Sequence, residues 1–286
     1  MELCAGTASL SLWAMGRCRP LTGYFGSKAR WAGLLAEALD ADRPDRVVLC
    51  DAGPWGDVWS TLATGGGVAV GEVLHDLQRR VDTDGPIAAW DACTVPPPAE
   101  AAERAARYLW LQARTANNIA IWWDGEQWAG PTGSRFSDAT RDATTTQRGG
   151  ERRVAKANSR QAITHGMRYP ATIARRIAAL DRAIDWSRVT VHHGDNREVT
   201  PIPGATVYLD PPYVGCPRYA ALLPRADVLD LVARWRAVGA RVAVSEAVPL
   251  DLGGTCRRLD HPKKPEWVSA TWPMRLPEQL PLLGAA

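Results

Sequence analysis

The chain alternates short apolar runs with stretches of helical periodicity, the arrangement expected of a parallel α/β sheet. A first strand over Met1–Ala5 breaks at Gly6, and Thr7–Met15 reads as a helix. A glycine-containing loop, Pro20–Lys28, leads into a strong helical pattern over Ala29–Leu39. Arg46–Asp51 reads as a buried strand ending in an acid, followed by a helix over Asp57–Ala63. Val68–Val81 fits either a strand or a helix, and the triple proline at 96–98 breaks the pattern before a helix over Ala99–Thr115. From Asn117 to about Tyr169 periodicity weakens, as in an insertion or a substrate-binding region. Order returns with a helix over Thr172–Ile184, strands at Val189–His193, Thr206–Asp210 and Arg241–Ser245, and a helix over Arg225–Val238. Two short strands near Arg257–Leu259 and Trp267–Thr271 close the pattern. These breaks divide the chain into 1–95, an insertion at 96–171, and 172–286.

Composition changes this picture little. With 286 residues, 46% hydrophobic and 23% charged, the chain suits one large α/β domain with an insertion, or two small domains. No apolar run approaches the roughly 20 residues that cross a bilayer. The first residues lack the basic start and cleavage site of a signal peptide. Cys4, Cys18, Cys50, Cys93, Cys216 and Cys256 are scattered, which predicts reduced thiols in a cytoplasmic protein. The five histidines show no metal-ligand spacing, so no metal is expected.

Charge is more informative. The net charge is only +3. Between Thr144 and Leu180, however, Arg148, Arg152, Arg153, Lys156, Arg160, Arg168, Arg175 and Arg176 face a single acid, Glu151. Such a block is a candidate phosphate-binding surface, or equally a solvated basic face.

The sharpest feature is Thr206-Val-Tyr-Leu-Asp210-Pro211-Pro212-Tyr213, a buried strand ending in an acid, two prolines and an aromatic ring. In open α/β sheets ligands sit outside the carboxyl ends of strands, which is where this turn falls. The prolines fix φ and remove two backbone donors, leaving carbonyl and carboxylate acceptors beside a ring. An exocyclic amine of adenine or cytosine is a poor nucleophile because its lone pair is delocalised into the base. Accepting its two N–H groups, at the Asp210 carboxylate and the Pro211 carbonyl, frees that lone pair. Tyr213 offers a stacking face for a base that has left the duplex.

The tetrapeptide resembles that of the DNA adenine methyltransferases of the Dam type, which carry Asp-Pro-Pro-Tyr. Val189-Thr-Val-His-His-Gly-Asp195 followed by Val207–Tyr213 is similar to that family's paired strands. Glu2-Leu-Cys-Ala-Gly-Thr-Ala resembles its glycine turn, and Cys50-Asp51-Ala-Gly-Pro-Trp its acid after the second strand. Gly23-Tyr-Phe-Gly-Ser-Lys28 is similar to its lysine loop, displaced to follow the first strand where the family places it ahead. Val242–Glu246 and Lys264-Pro-Glu-Trp267 are similar to late segments of the family.

The resemblance implies a Rossmann-like fold of about seven strands with an inserted target-recognition region, and S-adenosyl-L-methionine as cofactor. It implies a catalytic centre of Asp210, Pro211, Pro212 and Tyr213. Cofactor contacts would come from Ala5, Gly6, Thr7, Tyr24, Gly26, Ser27, Lys28, Asp51 and Asp195, with Lys28 facing the cofactor carboxylate. The partner would be duplex DNA with its target base flipped out, held through Arg148, Arg152, Arg153, Lys156 and Arg160. Arg114, Asn117, Asn118, Trp122 and Trp123 also lie in the interval, the tryptophans fitting core packing slightly better. Transfer to adenine N6 and to cytosine N4 need the same acceptors, so both stay open, as does a DNA-binding relative without catalysis. Methylation of a protein amide goes with Asn in place of Asp210, against what stands here.

Overall fold

The computed structural model describes residues 1–22, 27–113, 120–129, 145–148, 151–154, 169–213, 223–259 and 266–275. Strand β1 (Glu2–Leu3) leads through a tight turn to helix α1 (Ser9–Gly16), and a single 3-10 turn (Lys28–Arg30) precedes α2 (Ala32–Ala38). The predicted helix over Ala29–Leu39 is thus two pieces joined at Trp31. Next come β2 (Val47–Asp51), α3 (Pro54–Ala63), α4 (Gly67–Asp84) and α5 (Pro86–Cys93). The ambiguous Val68–Val81 stretch is therefore helical, burying Val70, Leu74, Leu77 and Val81 at helical spacing. Helix α3 starts earlier than Asp57 because Pro54 occupies its first turn, where a missing N–H costs nothing.

Helix α6 (Ala101–Ala113) is followed by the small antiparallel pairs β3 (Trp122–Trp123) with β4 (Trp128–Ala129), and β5 (Thr145–Arg148) with β6 (Glu151–Val154). Then come α7 (Pro170–Ala183), β7 (Val189–His193), β8 (Thr206–Leu209), α8 (Arg225–Ala237), β9 (Arg241–Glu246), β10 (Cys256–Leu259) and β11 (Glu266–Ala270).

Among the described residues one seven-stranded sheet runs in the order β10-β11-β9-β8-β1-β2-β7. Within this sheet every pairing is parallel except those of β11, which runs against both β9 and β10. This is a mixed α/β architecture with helices on both faces, compatible with a Rossmann-like fold.

Alternation along the strands sorts the two faces. Val207, Leu209, Val242 and Val244 point towards α8, which contributes Val228, Leu231, Val232 and Trp235. Their neighbours Tyr208 and Ala243 point the other way, against α1 and α2. On that second face Val47, Leu49 and Val189 meet a helical layer in which α4 packs on α5, α6 and α7. Helix α6, from the 96–171 stretch, is buried in this layer through Ala102, Ala105, Ala106, Leu109 and Trp110. No helix among the described residues is long and apolar enough to cross a membrane.

Candidate active site

The strand order reverses at β1. From there the chain steps outward to β2 and β7 on one side, and later to β8 and β9 on the other. A crevice opens between neighbouring strands whose connections leave in opposite directions. Here that crevice lies beyond the carboxyl ends of β1 and β8. It is a cleft of about 1020 Å³ including its open mouth, lined among others by Ala5, Gly6, Thr7, Ser27, Lys28, Asp51, Asp195, Asp210 and Pro212. The sequence spreads these residues over two hundred positions, and the topology gathers them.

The turn after β1 forms one wall. Cys4, Gly6 and Ala8 all take left-handed backbone conformations (φ 57°, 47° and 48°). Each non-glycine residue of that kind costs on the order of 1 kcal/mol and persists only where its surroundings dictate it. Ala5 N–H donates to the Cys50 carbonyl at 2.8 Å, Gly6 N–H to Asp51 Oδ2 at 2.8 Å, and Cys4 N–H to Asn196 Oδ1 at 3.3 Å. Trp59 Nε1 donates to the Gly6 carbonyl at 2.7 Å. Trp59 stacks on Trp55, Tyr108 meets Trp55 edge-on, and Trp128 stacks on Tyr108. An aromatic wall therefore runs from the turn to the β3–β4 ribbon. The two adjacent tryptophans divide between roles: Trp123 packs against the core and Trp122 lines the cleft.

Asp51, at the end of β2, accepts from Gly6 N–H and from Gly53 N–H, both at 2.8 Å. Burial raises its carboxyl above the usual range against the pull of those donors. The Gly56 N–H also faces it, and a carboxylate has about four acceptor positions, so Asp51 keeps capacity for about one further donor. Asp195 caps the 3-10 turn after β7 through Arg197 N–H at 2.8 Å. Its carboxyl sits below the usual range, chiefly through hydrogen bonds from the Arg197 side chain. Arg197 also reaches Asp227 at 2.7 Å. Asp195 thus lines the cleft with both oxygens already engaged.

The lysine loop returns to this cleft. Ser27 Oγ lies 2.9 Å from Thr7 Oγ1 and 2.8 Å from Ser9 Oγ, and those two hydroxyls are 2.7 Å apart. This triangle ties the loop to the glycine turn. Tyr24 and Gly26 lie outside the described residues.

Lys28 is buried, with its side chain 3% exposed. Nζ donates to Asp210 Oδ1 at 2.7 Å and Oδ2 at 2.8 Å, and pairs with Glu266 Oε1 at 2.9 Å. It also stands 5.2 Å from the centre of the Tyr213 ring. Tyr213 hydroxyl donates to the same Glu266 oxygen at 2.5 Å. Pro211 is buried behind Asp210.

Burial pushes the Asp210 carboxyl up to about 6. Lys28 opposes the shift and Glu266 adds to it. For Lys28 burial works towards losing the proton, but the carboxylate of Asp210, with Tyr208 and Glu266, outweighs it and the ammonium is held well above the usual lysine range. The two directions agree, because one ammonium shared between two carboxylates only partly offsets the burial of Asp210. At neutral pH both groups are charged.

Sequence reasoning missed Glu2, Asn196 and Glu266. Glu2 is 3% exposed, accepts Ser11 N–H at 2.8 Å, and has a carboxyl pushed by burial to about 7. Its signal was an acid inside an apolar strand. Asn196 locks Cys4 from both ends of its amide, and no pattern marked it. Glu266 lies in the Lys264-Pro-Glu-Trp267 segment, whose resemblance carries no site role.

In the basic block, β5 and β6 set Arg148 opposite Glu151, Arg152 opposite Gln147 and Arg153 opposite Thr146. Lys156, Arg160, Arg114, Asn117, Asn118 and Lys264 lie outside the described residues. The described cysteines are free, and no group of metal-ligating side chains gathers among the described residues. No protein-family model matches the chain, and no curated protein matches it.

Proposed function

We propose that this protein is an S-adenosylmethionine-dependent methyltransferase acting on an exocyclic amine of a DNA base, N6 of adenine first and N4 of cytosine as the alternative. The observation that carries the reading is that the Asp210 turn and the glycine turn after β1 open onto one cleft at the point where the sheet order reverses.

The cleft suits the cofactor chemically. Glu2, Asp51, Asp195 and Asp210 line it against the cations Lys28 and Arg197, an excess of acids favourable to a sulfonium cation. Asp51 has acceptor capacity left for a sugar hydroxyl, and Gly6 allows close backbone approach. The Thr7, Ser9 and Ser27 hydroxyls and Lys28 offer polar contacts for an amino-acid end. When bound, the cofactor supplies an electrophilic methyl group.

The chain's own residues do the rest. Asp210 and the Pro211 carbonyl accept the two N–H groups of the target amine, which localises its lone pair. Tyr213 stacks on the base and fixes the nitrogen's approach, where orientation supplies much of the rate. As nitrogen gains a bond its N–H becomes acidic, and ionised Asp210 takes that proton. A carboxylate near its own titration point at neutral pH is suited to that exchange.

A lysine loop placed after the first strand would fit a DNA-binding relative without catalysis if it lay away from the cleft. With Ser27 and Lys28 lining the cleft, the loop supports the catalytic reading instead. The Arg148–Arg160 block is the surface we assign to the DNA backbone.

The test is incubation with isotopically labelled cofactor and duplex DNA, followed by nucleoside mass spectrometry for N6-methyladenine and N4-methylcytosine. Asp210→Ala should lose at least about a hundredfold in transfer, the scale of a positioned acid–base group, with cofactor affinity largely kept. An unchanged rate in that variant, or no cofactor binding by the wild type in calorimetry, would overturn the proposal.

A further inference from the structure

We propose that Glu266, carried by the reversed strand β11, is a positioning residue of this catalytic centre, fixing the Tyr213 ring through its hydroxyl and sharing the Lys28 ammonium with Asp210. The inference rests on the methyltransferase reading and names a residue that the reading did not use.

Three distant pieces of chain meet at this acid. Lys28 comes from the 3-10 turn beside the cofactor loop, Tyr213 from the turn after β8, and Glu266 from the first position of β11. Glu266 is 8% exposed. Burying a carboxylate there is tolerable only because it is paired and hydrogen-bonded. Its Oε1 accepts from Tyr213 at 2.5 Å and pairs with Lys28 at 2.9 Å. A tyrosine ring turns about two side-chain bonds; the hydrogen bond at its far end holds the hydroxyl in place and so fixes the first, and the preference of the phenol O–H for the ring plane biases the second. The ring that we assign to stacking on the base is therefore tied to the sheet through Glu266.

The link to Asp210 is electrostatic. One ammonium serves two carboxylates, so the stronger its bond to Glu266, the less it neutralises Asp210. Asp210 is also faced by Glu2 from β1, Glu246 from the end of β9, Cys4 from the glycine turn, and Tyr208 from its own strand. Among these acids Glu266 is the one that touches the shared ammonium. Removing its charge frees Lys28 for Asp210 and removes a repulsion, and both effects lower the Asp210 titration point.

The experiment compares wild type with Glu266→Gln and Glu266→Leu in the full chain. Carboxyl carbon NMR, with Asp210→Asn for assignment, reads the Asp210 midpoint without turnover. The rate of methyl transfer at saturating cofactor is followed from pH 5 to 9. In Glu266→Gln the midpoint should fall by about one unit, as expected for loss of one nearby like charge. Activity at pH 5 relative to pH 8 should then rise roughly fivefold, with kcat at pH 8 nearly kept because glutamine still accepts from Tyr213. Glu266→Leu should lower kcat about tenfold without changing cofactor affinity, the scale of one lost hydrogen bond to a charged group. Adding Tyr213→Phe to it should cost little more. An Asp210 midpoint that stays near its wild-type value in Glu266→Gln overturns the inference, as does full additivity of Glu266→Leu with Tyr213→Phe. If wild type transfers no methyl group, the proposed function fails, while the titration still decides whether Glu266 governs Asp210.

Discussion

Replacing Lys28 by methionine tests the electrostatics of the centre most directly. The substitution keeps an unbranched chain of similar length and removes the ammonium that sits 2.7 Å from Asp210 and 2.9 Å from Glu266. With Lys28 present, the Asp210 carboxyl titrates at about 6. A nearby opposite charge lowers a carboxyl by 1–3 units, so its removal should lift Asp210 to about 8. At pH 7 the ionised fraction then drops from about nine-tenths to about one-tenth, a roughly ninefold loss of methyl transfer that alkaline pH restores.

Stability should follow with a definite sign. In wild type the raised lysine contributes stability that is fully present below about pH 10.4, the unfolded value, and is lost only above its folded one. In the variant, Asp210 and Glu266 would both bind protons more tightly folded than unfolded between about pH 4 and 8, so stability should fall as pH rises through that window. Breaking a buried pair costs about 3–5 kcal/mol while the orphaned carboxylates stay charged. The full cost should therefore appear near pH 8.5 and shrink near pH 6. The assays are pH–rate profiles at saturating cofactor and urea unfolding at both pH values. Lys28→Arg, which keeps the charge, is the control and should keep its acid limb near 6. An acid limb unmoved in Lys28→Met, with the same stability loss at both pH values, would show that Lys28 is not the counterion of Asp210.

Two further perturbations read the neighbouring walls. Glu2→Gln should stabilise the fold above pH 7 by up to about 3 kcal/mol, because raising a buried carboxyl from 4.5 to about 7 costs that much once it ionises. The gain should vanish below pH 4.5, where the wild-type acid is protonated in both states, and thermal unfolding at pH 4, 6 and 8 checks it. Gly56→Ala would place a Cβ 2.3 Å from the Asp51 carbonyl and 2.5 Å from His193 Cδ2. It should cost about 1–3 kcal/mol by overpacking and weaken cofactor binding in calorimetry by displacing Asp51. Unchanged unfolding and affinity would mean that α3 shifts freely.

Strands that are buried and apolar were legible in the sequence because short apolar runs bounded by turn residues mark them without tertiary help. That is why β2, β7, β8 and β9 fall within a residue or so of their expected bounds. Elements fixed by context were not legible. Helix α5 follows Gly85, whose φ of 87° resets the chain direction, and eight residues carry too little periodicity to stand out. The β3–β4 and β5–β6 ribbons have strands of two and four residues, below the length at which alternation can be read. The site divides in the same way. Asp210 to Tyr213, Gly6 and Asp51 are local motifs, whereas Glu266 and Asn196 matter through partners 53 and 192 residues away. No local pattern can report such pairs.

The displaced lysine loop shows what the site constrains. Beside the cleft, the loop must bring the Ser27 hydroxyl to Thr7 and Ser9, and the Lys28 ammonium to Asp210 and Glu266. Helix α1 has eight residues, so it carries the chain only about 12 Å from the carboxyl edge of the sheet. The stretch from Arg17 to Ser27 can span roughly 33 Å if extended, nearly three times that distance. The loop can therefore return to the same edge after β1 as readily as it could arrive there before it. Chain order is free at this point because the requirement is on two side-chain positions and not on the route between them. A lysine that meets both requirements must lie between Asp210 and the reversed strand, and there it acts as counterion before it can act as a ligand of the proposed cofactor. Cofactor affinity in Lys28→Met separates the two roles, since a counterion alone would leave it nearly unchanged at pH 9, where Asp210 is ionised even without its partner.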